Sequence, residues 1–153
     1  MNQQHQIILS IGSNQGNRKD YLMQCIDMLH LNLGTVVGVS SIYESESWGF
    51  ESDSFYNCIV LVHSHKKINQ IFKSIQKIET KLGRFRSGQN GYQPRTIDID
   101  IIYFDSEIIA TEVVQVPHKE MHNRLFVLLP LQEIAPDWIH PVLLKNSSDL
   151  IAV

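Results

Sequence analysis

The 153-residue sequence predicts an α+β fold, in which helices cover an antiparallel sheet. Three observations lead to this prediction. Two segments place apolar residues at the three- and four-residue spacing of a helix face. Segments rich in β-branched residues alternate with them in the order strand, helix, strand, strand, helix, strand. Both helical segments end at a glycine, Gly34 or Gly83, as is typical of helix C-termini.

The elements of the first half follow from local patterns. A short apolar run at residues 7–12 predicts a buried strand. Asn17, with Asp20 three positions later, predicts the start of the first helix. Residues 35–43 are predicted to form one strand and residues 55–62 another, with a polar loop between them.

The second half completes the pattern. We predict a second helix over residues 68–82, a strand over residues 96–104, a hairpin over residues 108–116 and a final helix over residues 123–133. The order is that of a ferredoxin-like βαββαβ antiparallel sheet covered by helices, with a C-terminal hairpin and helix addition. The tail from residue 139 is only weakly patterned.

Composition excludes several classes of protein. Hydrophobic residues make up 43% and charged residues 19% of the chain, which is typical of a globular domain. No apolar run approaches the roughly 20 residues of a membrane span, and the polar N-terminus does not resemble a signal peptide. A net charge of −3 does not favour nucleic-acid binding.

The two cysteines, Cys25 and Cys58, lie inside apolar runs, which predicts reduced thiols in a cytoplasmic protein. The length predicts one domain over residues 1–153. We expect it to be cytoplasmic and monomeric, without a membrane or nucleic-acid partner.

Arginines are concentrated in one segment. Arg84, Arg86 and Arg95 lie within residues 83–95, where glycines and a proline predict a loop. Arginine side chains in such a loop are suited to wrapping a phosphorylated ligand, because the guanidinium group binds phosphate through two donors. A solvated connection between elements is the alternative interpretation of this segment.

Asp98 and Asp100 alternate with isoleucines in the last predicted strand. Residues two apart on a strand share a face and lie roughly 6.5–7 Å apart, so both carboxylates can approach one hard cation. Mg²⁺ takes one or two carboxylates together with substrate phosphates and waters. A charged, solvent-facing edge strand would show the same alternation. Arg95 just upstream favours the phosphate and metal interpretation.

The segment around these aspartates, residues 94–102 (PRTIDIDII), resembles the signature of 6-hydroxymethyl-7,8-dihydropterin pyrophosphokinase, an enzyme of folate biosynthesis. Further matches follow in order over residues 7–137, among them residues 11–14 (IGSN), 40–43 (SSIY), 55–57 (FYN), 116–118 (VPH) and 133–136 (EIAP). The resemblance implies transfer of a pyrophosphoryl group from ATP to the hydroxymethyl group of the reduced pterin, with release of AMP.

The resemblance also implies roles for individual residues. Asp98 and Asp100 would hold two Mg²⁺ ions, and catalysis would involve them together with Arg84, Arg86 and Arg95. ATP would be bound by these three arginines and by Gln76, Glu79, Ile101, His118 and Arg124. The pterin would contact Asp98 and Ser45, Trp48, Phe55, Asn57, Tyr92 and Phe126.

Two other functions are compatible with the same residues. One is a nucleotide-dependent phosphotransferase with a changed acceptor pocket, and the other is a non-catalytic relative that binds a pterin or a nucleotide. Retention of both aspartates favours the enzyme, because a binding module does not need a metal pair. AMP release that depends on the pterin would separate the three.

Overall fold

The computed structural model describes residues 3–46, 54–83 and 96–152. The elements within these ranges are β1 His5–Ser13, α1 Arg18–Asn32, β2 Thr35–Val39, β3 Tyr43–Ser45, β4 Phe55–Ser64, α2 Ile68–Lys81, β5 Asp98–Phe104, β6 Ile109–Ala110, β7 Gln115–Val116, α3 Leu125–Ile134 and α4 Ser147–Ile151. The predicted α+β class and its antiparallel sheet are confirmed.

The main sheet has the strand order β2-β4-β1-β5, with β3 also paired to β4, and all of its pairs are antiparallel. β1 lies between β4 and β5, so three segments that are more than 30 residues apart in sequence become neighbours. This is the strand arrangement expected of a ferredoxin-like fold.

Alternation along the strands divides the core into two layers. Ile7, Leu9 and Ile11 point to the layer beneath α1 and α2, where both free cysteines are also buried. Ile8 points to the opposite layer, beneath α3 and α4. Asn17 begins α1 as predicted, because its side chain accepts a hydrogen bond from the backbone N–H of Asp20.

β5 changes its alternation at one residue. Leu9 pairs with Ile101 and Ile8 pairs with Tyr103, so Ile102 is the extra residue of a β-bulge. As a result, Ile102 and Tyr103 are both buried beneath α3. Ahead of the bulge, Ile99 and Ile101 face the α2 side, so Asp98 and Asp100 face the α3 side.

The prediction of a single strand over residues 35–43 is wrong, because β2 ends at Val39 and β3 begins at Tyr43. The backbone N–H of Ser41 donates to the Oε1 atom of Glu133 on α3, at 2.9 Å, instead of to a neighbouring strand. The hydroxyls of Ser41 and Tyr43 also donate to Glu133. A side chain distant in sequence therefore interrupts the strand.

The final helix also departs from its predicted bounds. A 3-10 turn occupies Met121–Asn123, Arg124 is extended, and α3 begins at Leu125. The tail forms α4, which the sequence did not predict, and packs on α3 through the buried Leu150. Within the described ranges, no helix has the length and apolar character needed to cross a lipid bilayer.

His140 holds the turn that leads into α4. Its Nδ1 atom accepts hydrogen bonds from the backbone N–H groups of Val142 and Leu143, at 3.1 and 3.0 Å. Burial, together with the nearby His122, lowers the pKa of His140 below its ordinary value. The unfolded chain therefore binds a proton at this residue more readily than the folded chain does.

We expect the free energy of unfolding to fall as the pH drops through the ordinary histidine pKa of about 6.5. His140→Asn keeps an acceptor oxygen that does not titrate, and should reduce this slope by at most about 1.4 kcal/mol per pH unit. Urea unfolding at pH 8 and pH 5.5 measures the difference. His65→Asn, at an exposed histidine, is the control and should follow the wild type. An unchanged slope in His140→Asn would contradict the assignment.

Candidate functional site

A row of three residues crosses the sheet at the end of β1. Gly12 pairs with Asn57 of β4 on one side and with Asp98 of β5 on the other. Directly opposed residues of antiparallel strands share a face, and neighbouring strands lie about 4.8 Å apart. Asn57 and Asp98 therefore project from the same face, with only a glycine between them.

Asp100 lies on that same face, two residues along β5, opposite Ser10. Its Oδ1 atom is 4.0 Å from Nε2 of His118, and its Oδ2 atom is 4.0 Å from a terminal guanidinium nitrogen of Arg124. The Asp100 side chain is 36% exposed, so a ligand can reach its oxygens. The two aspartates thus share one face, as predicted, and the guanidinium group of Arg124 lies beside them.

His118 is held in place through its backbone and one ring nitrogen. Its N–H donates to the carbonyl of Ile102, at 3.1 Å, and its Nδ1 atom accepts from the N–H of Glu120, at 3.2 Å. Burial and the positive charge of Arg124 lower the pKa of His118. The ring is therefore neutral at pH 7, with its proton on Nε2, the nitrogen that faces Asp100.

Glu79 lies on α2 and approaches β5 from the α2 side, opposite the face that carries Asp98 and Asp100. Its side chain is buried, and its Oε2 atom accepts a hydrogen bond of 3.0 Å from the backbone N–H of Ile99, the residue between the two aspartates. β5 is an edge strand, so this bond anchors β5 to α2.

A cleft of about 420 Å³ opens beside β5 and brings several predicted residues together. Its lining includes six of the residues predicted for ATP, metal or pterin binding: Gln76, Glu79, Asp98, Asp100, Ile101 and His118. The opposite wall is the hairpin segment from Thr111 to Gln115, followed by Lys119.

The site residues predicted from the sequence do not include this hairpin wall. Residues 111–115 carry no motif, and their place in the site depends on how the hairpin packs against β5. Gly12 was noticed only as part of a motif, because its role depends on the register of two neighbouring strands.

Three of the predicted pterin residues, Ser45, Phe55 and Asn57, lie at the β4 end of the same row. The Nδ2 atom of Asn57 donates to the hydroxyl of Ser45, at 2.8 Å, and to the carbonyl of Tyr43, at 3.2 Å. Phe55 lies two residues from Asn57 on the same face and is only partly buried. Phe126 is partly buried on α3, with its ring 5.6 Å from the Arg124 guanidinium group.

The remaining predicted residues, Trp48, Arg84, Arg86, Tyr92 and Arg95, lie outside the described ranges. Among the described residues, two carboxylates, a neutral histidine and an arginine meet beside a cleft. Such a set suits an anionic ligand that carries a divalent cation, such as a phosphate ester.

Comparison with known proteins agrees with this class of site. The sequence model of the 7,8-dihydro-6-hydroxymethylpterin-pyrophosphokinase family matches residues 8–136, close to the range of the resemblance predicted from the motifs. The chain therefore belongs to this family.

Individual relatives show similarity over most of the chain. A 2-amino-4-hydroxy-6-hydroxymethyldihydropteridine pyrophosphokinase of Bacillus subtilis is 43% identical over 128 residues, which cover 82% of this chain and 75% of that protein. One of Porphyromonas gingivalis is 38% identical and is covered over 93% of its length. The folic acid synthesis protein FOL1 of Dictyostelium discoideum is 41% identical, but this chain spans only 20% of it.

Solved structures show the same fold. The crystal structure of Plasmodium falciparum HPPK-DHPS with pteroate superimposes with a TM-score of 0.78 at 16% identity. The match covers 99% of this chain and 42% of that one.

The Glu79 contact predicts a local change in hydrogen exchange. Glu79→Leu removes the acceptor of the Ile99 N–H, so we expect this amide to exchange about tenfold faster or more, because an unpaired buried donor costs about 1–3 kcal/mol. Glu79→Gln keeps an acceptor oxygen and should restore most of the protection. Amide exchange followed by NMR measures both variants.

Glu107→Leu, at an exposed position beyond β5, is the control and should leave the Ile99 amide unchanged. Equal protection of Ile99 in Glu79→Leu and the wild type would show that Glu79 does not anchor β5.

Proposed function

We propose that this protein transfers a pyrophosphoryl group from ATP to the hydroxymethyl group of 6-hydroxymethyl-7,8-dihydropterin in folate biosynthesis, in an Mg²⁺-dependent reaction that releases AMP. The observation that carries the proposal is the row of Asn57, Gly12 and Asp98. This row joins the proposed acceptor residues of β4 to the aspartate pair of β5 in a member of the pyrophosphokinase family.

The cleft beside β5 is the proposed ATP site. Its volume of about 420 Å³ falls within the usual range for small-molecule sites. Gln76, Ile101 and His118 line it, and Arg124 lies at 4.0 Å from Asp100. We assign Arg84, Arg86 and Arg95 to the triphosphate as well, on the basis of the motif they share with the family.

Asp98 and Asp100 fit a pair of Mg²⁺ ions by their chemistry. Both offer carboxylate oxygens on one face, and the other ligands of Mg²⁺ in such sites are phosphates and waters. When bound there, the ions would offset the negative charge of the triphosphate and act as Lewis acids on its oxygens.

His118 and Arg124 act on the phosphates directly in this proposal. The neutral imidazole donates a hydrogen bond from its Nε2–H group to a phosphate oxygen, and the guanidinium group adds a fixed positive charge. Burial and the charge of Arg124 lower the pKa of His118, which favours the neutral ring as the hydrogen-bond donor.

The acceptor site is proposed at the β4 end of the row. Asn57 binds the polar edge of the pterin, while Phe55 and Phe126 contact its flat faces. Ser45, Trp48 and Tyr92 complete this site by family match.

We propose a monomer as the active form. The two buried free thiols support a reducing compartment, the cytoplasm. We propose that residues 1–153 form a single pyrophosphokinase domain.

The aspartate pair provides the direct test. Asp98→Asn and Asp100→Asn remove one negative oxygen each, so each should slow AMP formation by about a hundredfold or more. This follows because a metal contributes several kcal/mol and about 1.4 kcal/mol corresponds to a tenfold change in rate. Single-turnover assays with radiolabelled ATP, pterin and excess Mg²⁺ measure the rate.

Glu107→Gln changes the same charge on an exposed turn and should retain the wild-type rate. Circular dichroism of all variants checks that they remain folded. Near-normal rates in both aspartate variants at saturating ATP and Mg²⁺ would refute the metal assignment.

A further inference from the structure

Gly12 lies at the centre of the proposed site without a side chain of its own. A Cβ atom at this position would lie 2.8 Å from the Oδ1 atom of Asn57 and 3.4 Å from the ring of Phe55. The first distance is shorter than a carbon and an oxygen tolerate without a bond. The amide oxygen of Asn57 therefore occupies the space that any other residue at position 12 would fill.

The orientation of the Asn57 amide follows from its partners. The carbonyl of Tyr43 can only accept, so the atom that faces it must be the NH₂ group of Asn57. The hydroxyl oxygen of Ser45 accepts a second hydrogen bond from the same NH₂ group, at 2.8 Å. The oxygen of the amide is thereby directed to the opposite side, over the backbone of Gly12 and toward the β5 side of the row.

The face thus presents hydrogen-bond acceptors at both ends of the row. Asn57 offers its amide oxygen, and Asp98 offers a carboxylate across the bare backbone of Gly12. A ligand lying over Gly12 has to bring N–H donors to the Asn57 end. The amino and lactam N–H groups of a pterin edge have this property, whereas an edge made only of carbonyl oxygens does not.

We propose that Gly12 is a specificity-determining residue for the acceptor substrate. It leaves the space in which the Asn57 oxygen faces the ligand as an acceptor, and so selects a flat heterocycle with an N–H donor edge. This inference rests on the proposed function, because it concerns the same acceptor site.

The sheet provides a matched comparison. Gly38 also lies in a strand, β2, but a Cβ atom there would meet Leu61 at 3.6 Å and Ile134 at 3.9 Å, which are ordinary contacts. Gly38→Ala therefore makes the same chemical change in a strand of the same sheet, outside the row.

A double-mutant cycle between Gly12 and Asn57 tests the proposal. The variants are Gly12→Ala, Asn57→Ala and the two combined, with Gly38→Ala as the control. Calorimetry measures the affinity for a non-hydrolysable ATP analogue with Mg²⁺ and, with that analogue saturating, the affinity for 6-hydroxymethylpterin.

We expect Gly12→Ala to weaken pterin binding by about tenfold or more, as for loss of a buried hydrogen bond. The affinity of Gly12→Ala for the ATP analogue should stay within about twofold of the wild-type value. The affinities of Gly38→Ala for both ligands should also stay within about twofold of the wild-type values. In the Asn57→Ala background, Gly12→Ala should weaken pterin binding by less than a further factor of about two, because the oxygen that it displaces is already absent.

Three results would overturn the proposal: unchanged pterin affinity in Gly12→Ala, additive losses in the double variant, or an equal loss for both ligands. If Gly12→Ala does not fold, the double variant tests the proposal instead. The proposal requires the double variant to fold and to bind the pterin with the same affinity as Asn57→Ala. A wild-type chain that binds no pterin would instead refute the proposed function. If the wild-type chain binds the pterin normally, any of the three results above refutes only the role of Gly12.

Discussion

The register of β4, β1 and β5 is the constraint on which the site depends. Side chains alternate between the faces of a strand, so a slip of one residue would turn the aspartates of β5 into the core. Burial prevents this slip, because it would expose Ile99 and Ile101 from the layer beneath α2. The same apolar pattern that holds the sheet together therefore fixes the polar row on the opposite face.

Contacts from outside the sheet then set the details of the polar face. Glu79 binds the N–H between the two aspartates, and the N–H of His118 binds the carbonyl of Ile102 at the bulge. On the other side, Glu133 holds Ser41 and Tyr43, and the Tyr43 carbonyl orients the amide of Asn57. Each of these contacts joins residues distant in sequence, so the site forms only when the layers have packed.

Local patterns were sufficient for much of the fold and for part of the site. The alternation around Asp98 and Asp100 predicted their shared face, and Asn17 predicted the start of α1. The break after β2, the bulge at Ile102 and the hairpin wall were not predictable, since each depends on a partner far along the chain. Glu79 was predicted from the motif to contact ATP, but only the structure reveals that it binds the backbone of Ile99.

The central claim is that the two ends of this row bring a pterin and ATP together for pyrophosphoryl transfer. The most direct measurement mixes the wild-type chain with ATP, Mg²⁺ and 6-hydroxymethyl-7,8-dihydropterin and identifies the products by phosphorus NMR. We expect equal amounts of AMP and pterin diphosphate, and no AMP when the pterin is omitted. Formation of ADP as the product, or of AMP without the pterin, would contradict the account.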